Sequence, residues 1–165
     1  MIRVVVGDLA RVPADAVVRP ADAALAPAGA PGARLDEAGG DRFAAERRTA
    51  TPLEAGAAVV TGGGDLAATY VLHVVIADER GPADRDRIRR ALVSAWQRAG
   101  DWGLRLVATP LVGVASGQLT TEESARLLVE TFPAEAGEVG PVELQIVVDA
   151  VAERDVVAAL VRRMA

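Results

Sequence analysis

The chain contains no cysteine, no lysine and a single histidine, and each gap removes a kind of chemistry. Without cysteine there is no disulfide framework, no thiol nucleophile and no thiolate metal site. One histidine, His73, cannot form a multi-histidine metal centre. We therefore expect no bound metal and no cofactor.

Aromatic residues are also scarce, at 3% of the chain, whereas hydrophobic residues make up 51%. The core must therefore be built from valine, leucine, isoleucine and alanine. The net charge of −5 argues against binding nucleic acid by neutralising its phosphates. No apolar run reaches membrane-spanning length, and the apolar start of the chain is too short for a signal peptide. We expect a soluble, cytoplasmic protein with one domain over residues 1–165 and no membrane partner.

The stretch from Leu104 to Phe132 is the most informative part of the sequence. A short apolar run ends at Pro110, a glycine-containing loop follows, and the segment Thr120–Glu123 is typical of a helix capping box. A glycine loop between a strand end and a helix start directs backbone N–H groups into a concavity that suits phosphate or another anion. An ordinary strand-to-helix turn explains the same pattern.

Apolar runs and turn residues along the chain predict alternating strands and helices. Residues 19–40 are rich in alanine, glycine and proline, which predicts a long irregular loop ending in a short helix. Gly81-Pro82 is expected to precede the longest helix. The predicted strands are 2–6, 16–18, 57–61, 70–76, 106–108 and 144–148; the predicted helices are 33–38, 41–47 (ended by Thr51-Pro52), 83–102, 121–132 and 156–164; a loop is predicted at 138–141. This order predicts an α/β fold: a three-layer α/β/α sandwich with a central mixed, mostly parallel six-stranded sheet.

Several motifs occur in an order that resembles a known family, the macro domain. They are Gly7-Asp8-Leu9, Asp15-Ala16-Val17-Val18, the glycine-containing segment 28–34, the segment 56–75 ending in Tyr70-Val71-Leu72-His73-Val74-Val75, and Thr109-Pro110-Leu111-Val112-Gly113. The resemblance covers nearly the whole chain. It implies the macro domain fold and a cleft for ADP-ribose or a related nucleotide-like ligand, with an ADP-ribosylated protein as a further possible partner.

The resemblance also implies which residues bind the ligand. In the family the acid at Asp8 accepts a hydrogen bond from the adenine amino group, and the backbone of Leu9 faces the base. An aspartate that only stabilises a turn is the alternative explanation for Asp8. The full set of ligand-binding residues implied by the resemblance is Asp8, Leu9, Ala21, Asp22, Gly29, Ala30, Pro31, Gly32, Ala33, Gly113, Val114, Ala115, Ser116, Gly117 and Asp149.

The first half of the implied site departs from the family pattern. Where the family has Asn-Ala-Ala-Asn, this chain has Arg19-Pro20-Ala21-Asp22. Asp22 accepts hydrogen bonds from ribose hydroxyls but adds a negative charge near a diphosphate. Arg19 and Arg34 could compensate for that charge, although a surface position is the preferred interpretation of both. Pro31 replaces an acidic residue of many hydrolytic members and has no N–H to offer a phosphate.

The second half departs as well. Ala115 replaces a glycine, and alanine tolerates a positive φ poorly. The Ser116 hydroxyl is expected to add a phosphate contact. Asp149 stands where many members stack an aromatic ring on adenine. His73 is expected to be a packed, hydrogen-bonded core residue, so no catalytic residue is predicted.

Three functions remain open on this sequence. The first is a binding module for ADP-ribose or a related ligand with a degenerate site. The second is a hydrolase that removes ADP-ribose from proteins or processes ADP-ribose derivatives. The third is a degenerate macro domain with a structural or interaction role and no nucleotide binding.

Overall fold

The computed structural model describes residues 1–49, 52–133 and 141–165, and these ranges contain seven strands and four helices. The strands are β1 (Ile2–Val6), β2 (Ala16–Asp22), β3 (Ala58–Gly62), β4 (Tyr70–Asp78), β5 (Gly81–Pro82), β6 (Leu106–Thr109) and β7 (Glu143–Val148). The helices are α1 (Ala30–Glu46), α2 (Arg85–Asp101), α3 (Thr121–Thr131) and α4 (Val151–Met164). The predicted α/β class is confirmed, and all six predicted strands are present.

The strands form one mixed sheet in the order β1-β7-β6-β2-β4-β3, with β5 paired to β4. The pairs from β1 through to β4 are parallel, whereas β3 and β5 run antiparallel to β4. The carboxyl ends of β1, β7, β6 and β2 therefore meet at one edge of the sheet. That edge is where open α/β sheets bind ligands.

The two faces of the sheet carry different helices because neighbouring side chains along each strand point to opposite faces. Val17 and Val71 pack with Phe43 of α1 in one apolar cluster. Val18 and Leu72 belong to the larger cluster on the other face, with side chains of α2, α3 and α4. The sheet is covered on both sides, as the predicted three-layer sandwich requires.

Helix α1 begins earlier than the sequence predicts and replaces much of the expected loop. β2 extends to Asp22, and the helix starts at Ala30 and continues to Glu46, where two shorter helices were expected. Pro31 stands in the first turn of the helix, where its missing N–H has no intrahelical partner in any case. Both expected helices are nevertheless present within this span, because Gly40 has a non-helical backbone, with φ 66° and ψ −164°, that divides α1 into two helical segments.

The first turn of α1 lies directly on the backbone of β2. The Ala28 N–H donates to the Pro20 carbonyl at 3.1 Å. A Cβ on Gly32 would lie only 2.9 Å from the same carbonyl oxygen, so only glycine permits this approach. The position of the helix start is therefore fixed by the strand beneath it.

Smaller details both match and correct the sequence predictions. Gly81-Pro82 forms β5 and is not merely a helix lead-in, because Gly81 and Pro82 pair with β4. The capping box is confirmed: Thr120 accepts from the Glu123 N–H, and Glu123 accepts from the Thr120 N–H. The break predicted at Thr51 and most of the loop predicted at 138–141 lie outside the described residues. Within the described residues, no helix combines the length and the apolar character needed to cross a membrane.

Candidate functional site

A cleft of about 260 Å³ opens at the carboxyl ends of β1, β7, β6 and β2. It is lined from four segments, one after each of these strands. These segments contribute Gly7, Asp8, Leu9 and Ala10; Val147, Val148, Asp149 and Glu153; Pro110, Leu111, Val114 and Ala115; and Ala30, Pro31 and Arg34. The parallel strands thus bring together residues that are far apart in the sequence.

The cleft contains about half of the ligand-binding residues implied by the sequence. Those that line it are Asp8, Leu9, Ala30, Pro31, Val114, Ala115 and Asp149. Those that do not line it are Ala21, Asp22, Gly29, Gly32, Ala33, Gly113, Ser116 and Gly117. Three residues of the first group follow β1 or β7, and the other four follow β2 or β6.

Asp8 follows β1, and its carboxylate is half-exposed at the cleft. Its Oδ1 accepts a hydrogen bond from the Ala10 N–H at 3.0 Å, which stabilises the turn that leaves the strand. Among the described residues, the partner of its Oδ2 is the exposed Arg11, whose Nε lies 3.6 Å away. One oxygen therefore holds a turn, and the other faces solvent and accepts a further donor.

The first loop, residues 23–29 between β2 and α1, ends at Gly29. Gly29 caps α1 without any side-chain hydrogen bond. Gly29 has φ 111°, a conformation that favours glycine. In the described part of the chain, no group accepts the N–H of Gly29 or of Ala30. Free N–H groups at a helix start carry partial positive charge and attract anions.

The second loop, residues 110–120 between β6 and α3, presents a similar pair of N–H groups. Across the described residues, the N–H groups of Ala115 and Ser116 have no acceptor. Ala115 does not have the positive φ expected of a glycine replacement, since Leu25 is the non-glycine residue with that conformation in the described ranges. The cost of alanine at this position is therefore steric and not conformational.

Gln118 fixes the second loop, a role that the sequence analysis missed. Its side-chain amide donates to the carbonyls of Ile76 and Ala83, each at 2.9 Å. The Ser116 hydroxyl donates to the Gln118 Oε1 at 2.6 Å, so its proton is already engaged and the expected donation to a phosphate is not available in this arrangement. Only a residue type that donates twice and accepts once completes this network, but nothing in the local sequence indicates its distant partners.

The two loops lie side by side. A Cβ built on Gly29 would lie 3.2 Å from the Ala115 Cβ and 3.5 Å from the Ser116 backbone nitrogen. The unpartnered N–H groups of the two loops are therefore close together. The segments after β2 and β6 therefore meet at the same edge of the sheet.

Arg19 is neither a surface residue nor a cation of the cleft, in contrast to both interpretations of the sequence. It is fully buried and donates to both oxygens of Asp36, from Nε at 2.7 Å and from Nη2 at 2.9 Å. Arg47 Nη1 binds the same carboxylate at 2.7 Å. The reason is geometric: Arg19 faces the side of the sheet that α1 covers, and α1 supplies the carboxylate.

His73 is a buried, hydrogen-bonded core residue, as predicted. Its Nδ1 lies 3.1 Å from the Arg19 Nη1, and its Nε2 lies 2.8 Å from the Thr61 Oγ1. Arginine can only donate, so Nδ1 must accept and Nε2 carries the proton. Burial, together with the charges of Arg19 and Arg47, lowers the pKa of His73 to about 3, so the ring is neutral at physiological pH.

Asp22 turns its carboxylate toward its own loop. Its Oδ1 accepts from the N–H groups of Ala24 and Ala26, each at 2.9 Å. The Leu53 N–H donates to the Ala23 carbonyl at 2.8 Å and ties this turn to another segment. Asp22 therefore closes a turn after β2 and does not line the cleft.

A charged pair spans the mouth of the cleft. Arg34 in α1 binds Asp149 after β7 through two contacts, Nη1–Oδ1 at 3.3 Å and Nη2–Oδ2 at 3.4 Å. Both side chains are exposed, which makes the pair weak. Glu153 in the first turn of α4 also lines the cleft and was not singled out by the sequence, although its place at a helix start is ordinary for an acid.

The cleft is electrically polarised. Its carboxylates, Asp8, Asp149 and Glu153, follow β1 and β7 at one side of the sheet. The unpartnered loop N–H groups follow β6 and β2 in the middle of the sheet. The order β1-β7-β6-β2 separates β1 from β2 by about 14 Å, three times the usual spacing between strands. Within the described residues, no cluster of His, Asp and Glu is arranged to hold a metal ion.

Comparisons with known proteins agree on the family. The sequence model of the Macro domain matches residues 18–128. A macro domain-containing protein of Streptomyces nogalater is 32% identical over 137 residues, 79% of this chain and 76% of the relative. An uncharacterized protein of Aeropyrum pernix is 34% identical over 133 residues, 76% of this chain and 67% of the relative. The chain spans about a third (34%) of an uncharacterized Mycobacterium tuberculosis relative, to which it is 31% identical over 122 residues, 74% of this chain.

Solved structures share the fold at lower sequence identity. The Trypanosoma brucei macrodomain in complex with ADP has a TM-score of 0.82 and 20% identity, covering 97% of this chain and 68% of that chain. A mutant of the Oceanobacillus iheyensis macrodomain with ADPR has a TM-score of 0.75 and 15% identity, covering 98% of this chain and 91% of that chain.

Proposed function

The chain belongs to the macro domain family, and on that premise we propose that its cleft binds ADP-ribose or a closely related nucleotide as a recognition module. ADP and ADPR are the ligands named for two structural neighbours with this fold. The family alone does not fix a function, because ligands and chemistry depend on the individual site.

The observation that carries the proposal is the polarity of the cleft. A nucleoside diphosphate has hydrogen-bond donors on its base and ribose at one end and an anionic diphosphate at the other. Asp8 supports the base end, since its Oδ2 has no closer partner than Arg11 at 3.6 Å among the described residues. The N–H groups of Ala30 and Ala115 support the phosphate end, because both residues line the cleft and neither N–H has an acceptor in the described chain.

The same residues give little support to hydrolysis. Pro31 lines the cleft where hydrolytic relatives are expected to carry an acid, and proline cannot transfer a proton. The Asp22 carboxylate accepts two backbone N–H groups of its own turn and lies outside the cleft. The carboxylates that do line the cleft, Asp8, Asp149 and Glu153, follow β1 and β7 and not the loops that carry the unpartnered N–H groups. We therefore propose binding without turnover.

Calorimetric titration with ADP-ribose tests the proposal. We expect a dissociation constant in the micromolar range and no release of ADP-ribose from an ADP-ribosylated peptide. Heat that appears only at millimolar ligand would instead support a structural domain without nucleotide binding. Release of ADP-ribose from the peptide would support a hydrolase.

Substitution of Asp8 tests the base end of the site. Asp8→Asn keeps an oxygen that accepts the Ala10 N–H but replaces the solvent-facing oxygen with a donor. We expect roughly tenfold weaker ADP-ribose binding, from the loss of a hydrogen bond to a charged acceptor, with an unchanged melting temperature. Asp86→Asn, on the exposed face of α2 away from the cleft, is the matched control. Equal affinities for the wild type and Asp8→Asn would contradict the assignment of Asp8.

A further inference from the structure

We propose that two copies of this chain associate through the free edge of β1, the strand at one end of the sheet. The second copy adds its own β1 antiparallel to the first, so that one continuous sheet runs through both copies. This association is independent of what the cleft binds. Its basis is the set of β1 backbone groups that point away from the sheet, together with the side chains of the same residues.

β1 uses every second residue to pair with β7. The Leu144 N–H donates to the Met1 carbonyl at 2.9 Å, and the Gly7 N–H donates to the Val148 carbonyl at 3.1 Å. Successive residues of a strand direct their backbone groups to opposite sides, so the odd-numbered residues of β1 face β7. The residues that direct their N–H and C=O groups outward are therefore Ile2, Val4 and Val6. Within the described chain, no group forms a hydrogen bond with these outward groups.

The opposite end of the sheet, at β3, is covered by other parts of the chain. The Glu46 side chain of α1 accepts the Gly62 N–H of this strand at 3.4 Å. Helix α2 also packs against β3. The two edges of the sheet therefore differ, and β1 is the one with unpaired outward groups in the described ranges.

β1 also has none of the features that usually prevent an edge strand from pairing, such as proline, a bulge or an outward charge. Its register with β7 is continuous over all five residues. Its one charged side chain, Arg3, points over β7, where its Nε lies 3.0 Å from the Glu143 Oε1. The charge is therefore held inside the sheet and leaves the edge open to another strand.

The outward groups of β1 are complementary to those of a second β1. In an antiparallel pair, residues directly opposite each other exchange both of their hydrogen bonds at every second position. When Val4 stands opposite Val4 of the second copy, Ile2 stands opposite Val6, and each of these residues has outward groups. A two-fold axis at Val4 therefore pairs all the outward groups of both strands. This is the isologous geometry of symmetric dimers, and it makes a second copy the occupant that fits this edge.

The side chains that meet in this register are apolar and β-branched. Ile2, Val4 and Val6 project on one face of the sheet, where Ile2 and Val4 pack against the larger apolar cluster. Cross-strand pairs of such side chains stabilise antiparallel sheets. On the other face, Arg3 lies opposite Val5 and not opposite the second Arg3, so no like charges stand directly opposite each other.

The association leaves both clefts open. Each cleft lies beyond the carboxyl end of its own β1, where Asp8 and Leu9 line it. Since the two β1 strands run in opposite directions, the clefts lie at opposite ends of the joined sheet. The dimer is therefore a bivalent form of the domain, and each copy keeps its own binding site.

Sedimentation equilibrium and amide hydrogen exchange over one concentration series test the proposal. We expect dimers to form between about 10 μM and 1 mM, because a five-residue strand buries less than the roughly 1,200 Å² of standard interfaces. The amides of Ile2, Val4 and Val6 should become protected over the same range, whereas β7 protects those of Arg3 and Val5 at every concentration. A chain that stays monomeric throughout, or dimers in which the outward amides exchange at the monomer rate, would overturn the proposal.

Substitutions at Val6 test the edge without disturbing the core, since this side chain is 42% exposed. Val6→Lys places a charge opposite Ile2 of the second copy, and we expect the dissociation constant of the dimer to rise about tenfold or more. Val6→Pro removes an outward N–H and should weaken the dimer as well, because proline is tolerated on the solvent side of an edge strand. Both variants should keep the wild-type melting temperature at low concentration.

Val93→Lys is the matched control for Val6→Lys. Val93 is 37% exposed and lies on α2, which packs over β3 and β4 at the other end of the sheet. We expect it to dimerise like the wild type. Equal dissociation constants for Val6→Lys and Val93→Lys would show that β1 is not the interface.

A synthetic peptide with the sequence of residues 1–7 distinguishes a second copy from other extended segments. We expect the peptide to compete with dimer formation and to protect the amides of Ile2, Val4 and Val6. Protection by the peptide in a chain that does not self-associate would show that the edge accepts an extended segment and not a second copy, and the proposal would then be wrong.

Discussion

Asp149 occupies the mouth of the cleft with a charge that opposes a nucleotide, and Arg34 partly neutralises it. The two side chains meet at 3.3 and 3.4 Å while remaining largely exposed. An aromatic ring, expected in many relatives at this place, would stack on a base; the carboxylate does not. The pair therefore adjusts the electrostatics of ligand entry and adds little to stability.

Opposite charge changes at these two residues should shift affinity in opposite directions. Asp149→Asn removes a negative charge and releases Arg34 toward the ligand, whereas Arg34→Gln leaves the Asp149 carboxylate without its cation. We expect ADP affinity to rise roughly two- to fivefold in the first variant and to fall by a similar factor in the second, the scale of an exposed ion pair. Calorimetry at low and high salt measures both, and the differences should shrink with salt.

Arg42→Gln is a suitable control for this pair because Arg42 also lies on α1 and also pairs with an aspartate. It binds Asp65 at 3.4 Å, away from the cleft. The control should leave ADP affinity unchanged. If Asp149→Asn and Arg34→Gln both weaken binding, the pair acts as a structural clamp and the electrostatic explanation is wrong.

At the scale of elements, helix α1 connects the cleft to the buried charge cluster. Its first turn carries the Ala30 N–H, and its second carries Asp36, which holds Arg19 of β2. Phe43 of the same helix stacks on His73 with ring centres 5.8 Å apart. The helix is thus held to β2 and β4 by polar and apolar contacts along its length.

The buried pair should matter far more to stability than an exposed one on the same helix. Arg19→Met leaves the largely buried Asp36 with Arg47 alone, and removing one partner of a buried pair typically costs about 3–5 kcal/mol. Arg42→Met breaks the exposed pair with Asp65 and should cost less than about 1 kcal/mol. Urea unfolding of both variants measures the difference. Similar losses in the two variants would show that Arg19 is not held as described.

The elements were largely predictable from the sequence. Each of the six expected strands is an apolar run bounded by glycine, proline or charged residues, and those local signals suffice. The start of α1 was not predictable, because Gly29, Pro31 and Gly32 all suggest a loop when read alone. They fit a helix here because proline is tolerated in a first turn and glycine permits the close approach to Pro20.

The residues of the site were predictable only where they belong to a motif shared with the family. Asp8, Leu9 and the loop residues Ala30, Pro31 and Ala115 follow from the resemblance, and all five line the cleft. The partners of Arg19, Asp22 and Gln118 were missed, since each depends on tertiary contacts or local turns that no spacing rule encodes. His73 and Arg19 are 54 positions apart, yet the register of β2 and β4 sets them side by side.

At the scale of the whole molecule, the neutral His73 makes folding sensitive to acid. Its pKa is lowered from 6.5 to about 3 in the folded state, so only the unfolded chain takes up a proton as the pH falls below about 6.5. Stability from this group is therefore complete above that pH and is lost progressively as the pH falls toward about 3. The loss is about 1.4 kcal/mol per pH unit within that window.

A comparison with His73→Gln isolates this contribution. Glutamine offers one acceptor and one donor but does not titrate. Between pH 7 and pH 5 we expect the wild type to lose about 2 kcal/mol more unfolding free energy than the variant, because the carboxylates common to both proteins cancel in the difference. Urea unfolding at both pH values provides the measurement. Parallel pH profiles would contradict the neutral, buried state of the ring.

The close approach at Gly32 has a consequence for how binding capacity is lost. Gly32, with only a hydrogen atom as its side chain, packs against the Pro20 carbonyl. The backbone of β2 therefore fixes the position of the N–H groups at the start of α1. Local opening usually begins in segments with few buried contacts, whereas the start of α1 packs directly on a central strand. Heating should therefore abolish nucleotide binding and the folded sheet in one cooperative step, with no temperature interval in which an intact scaffold has already lost its ligand.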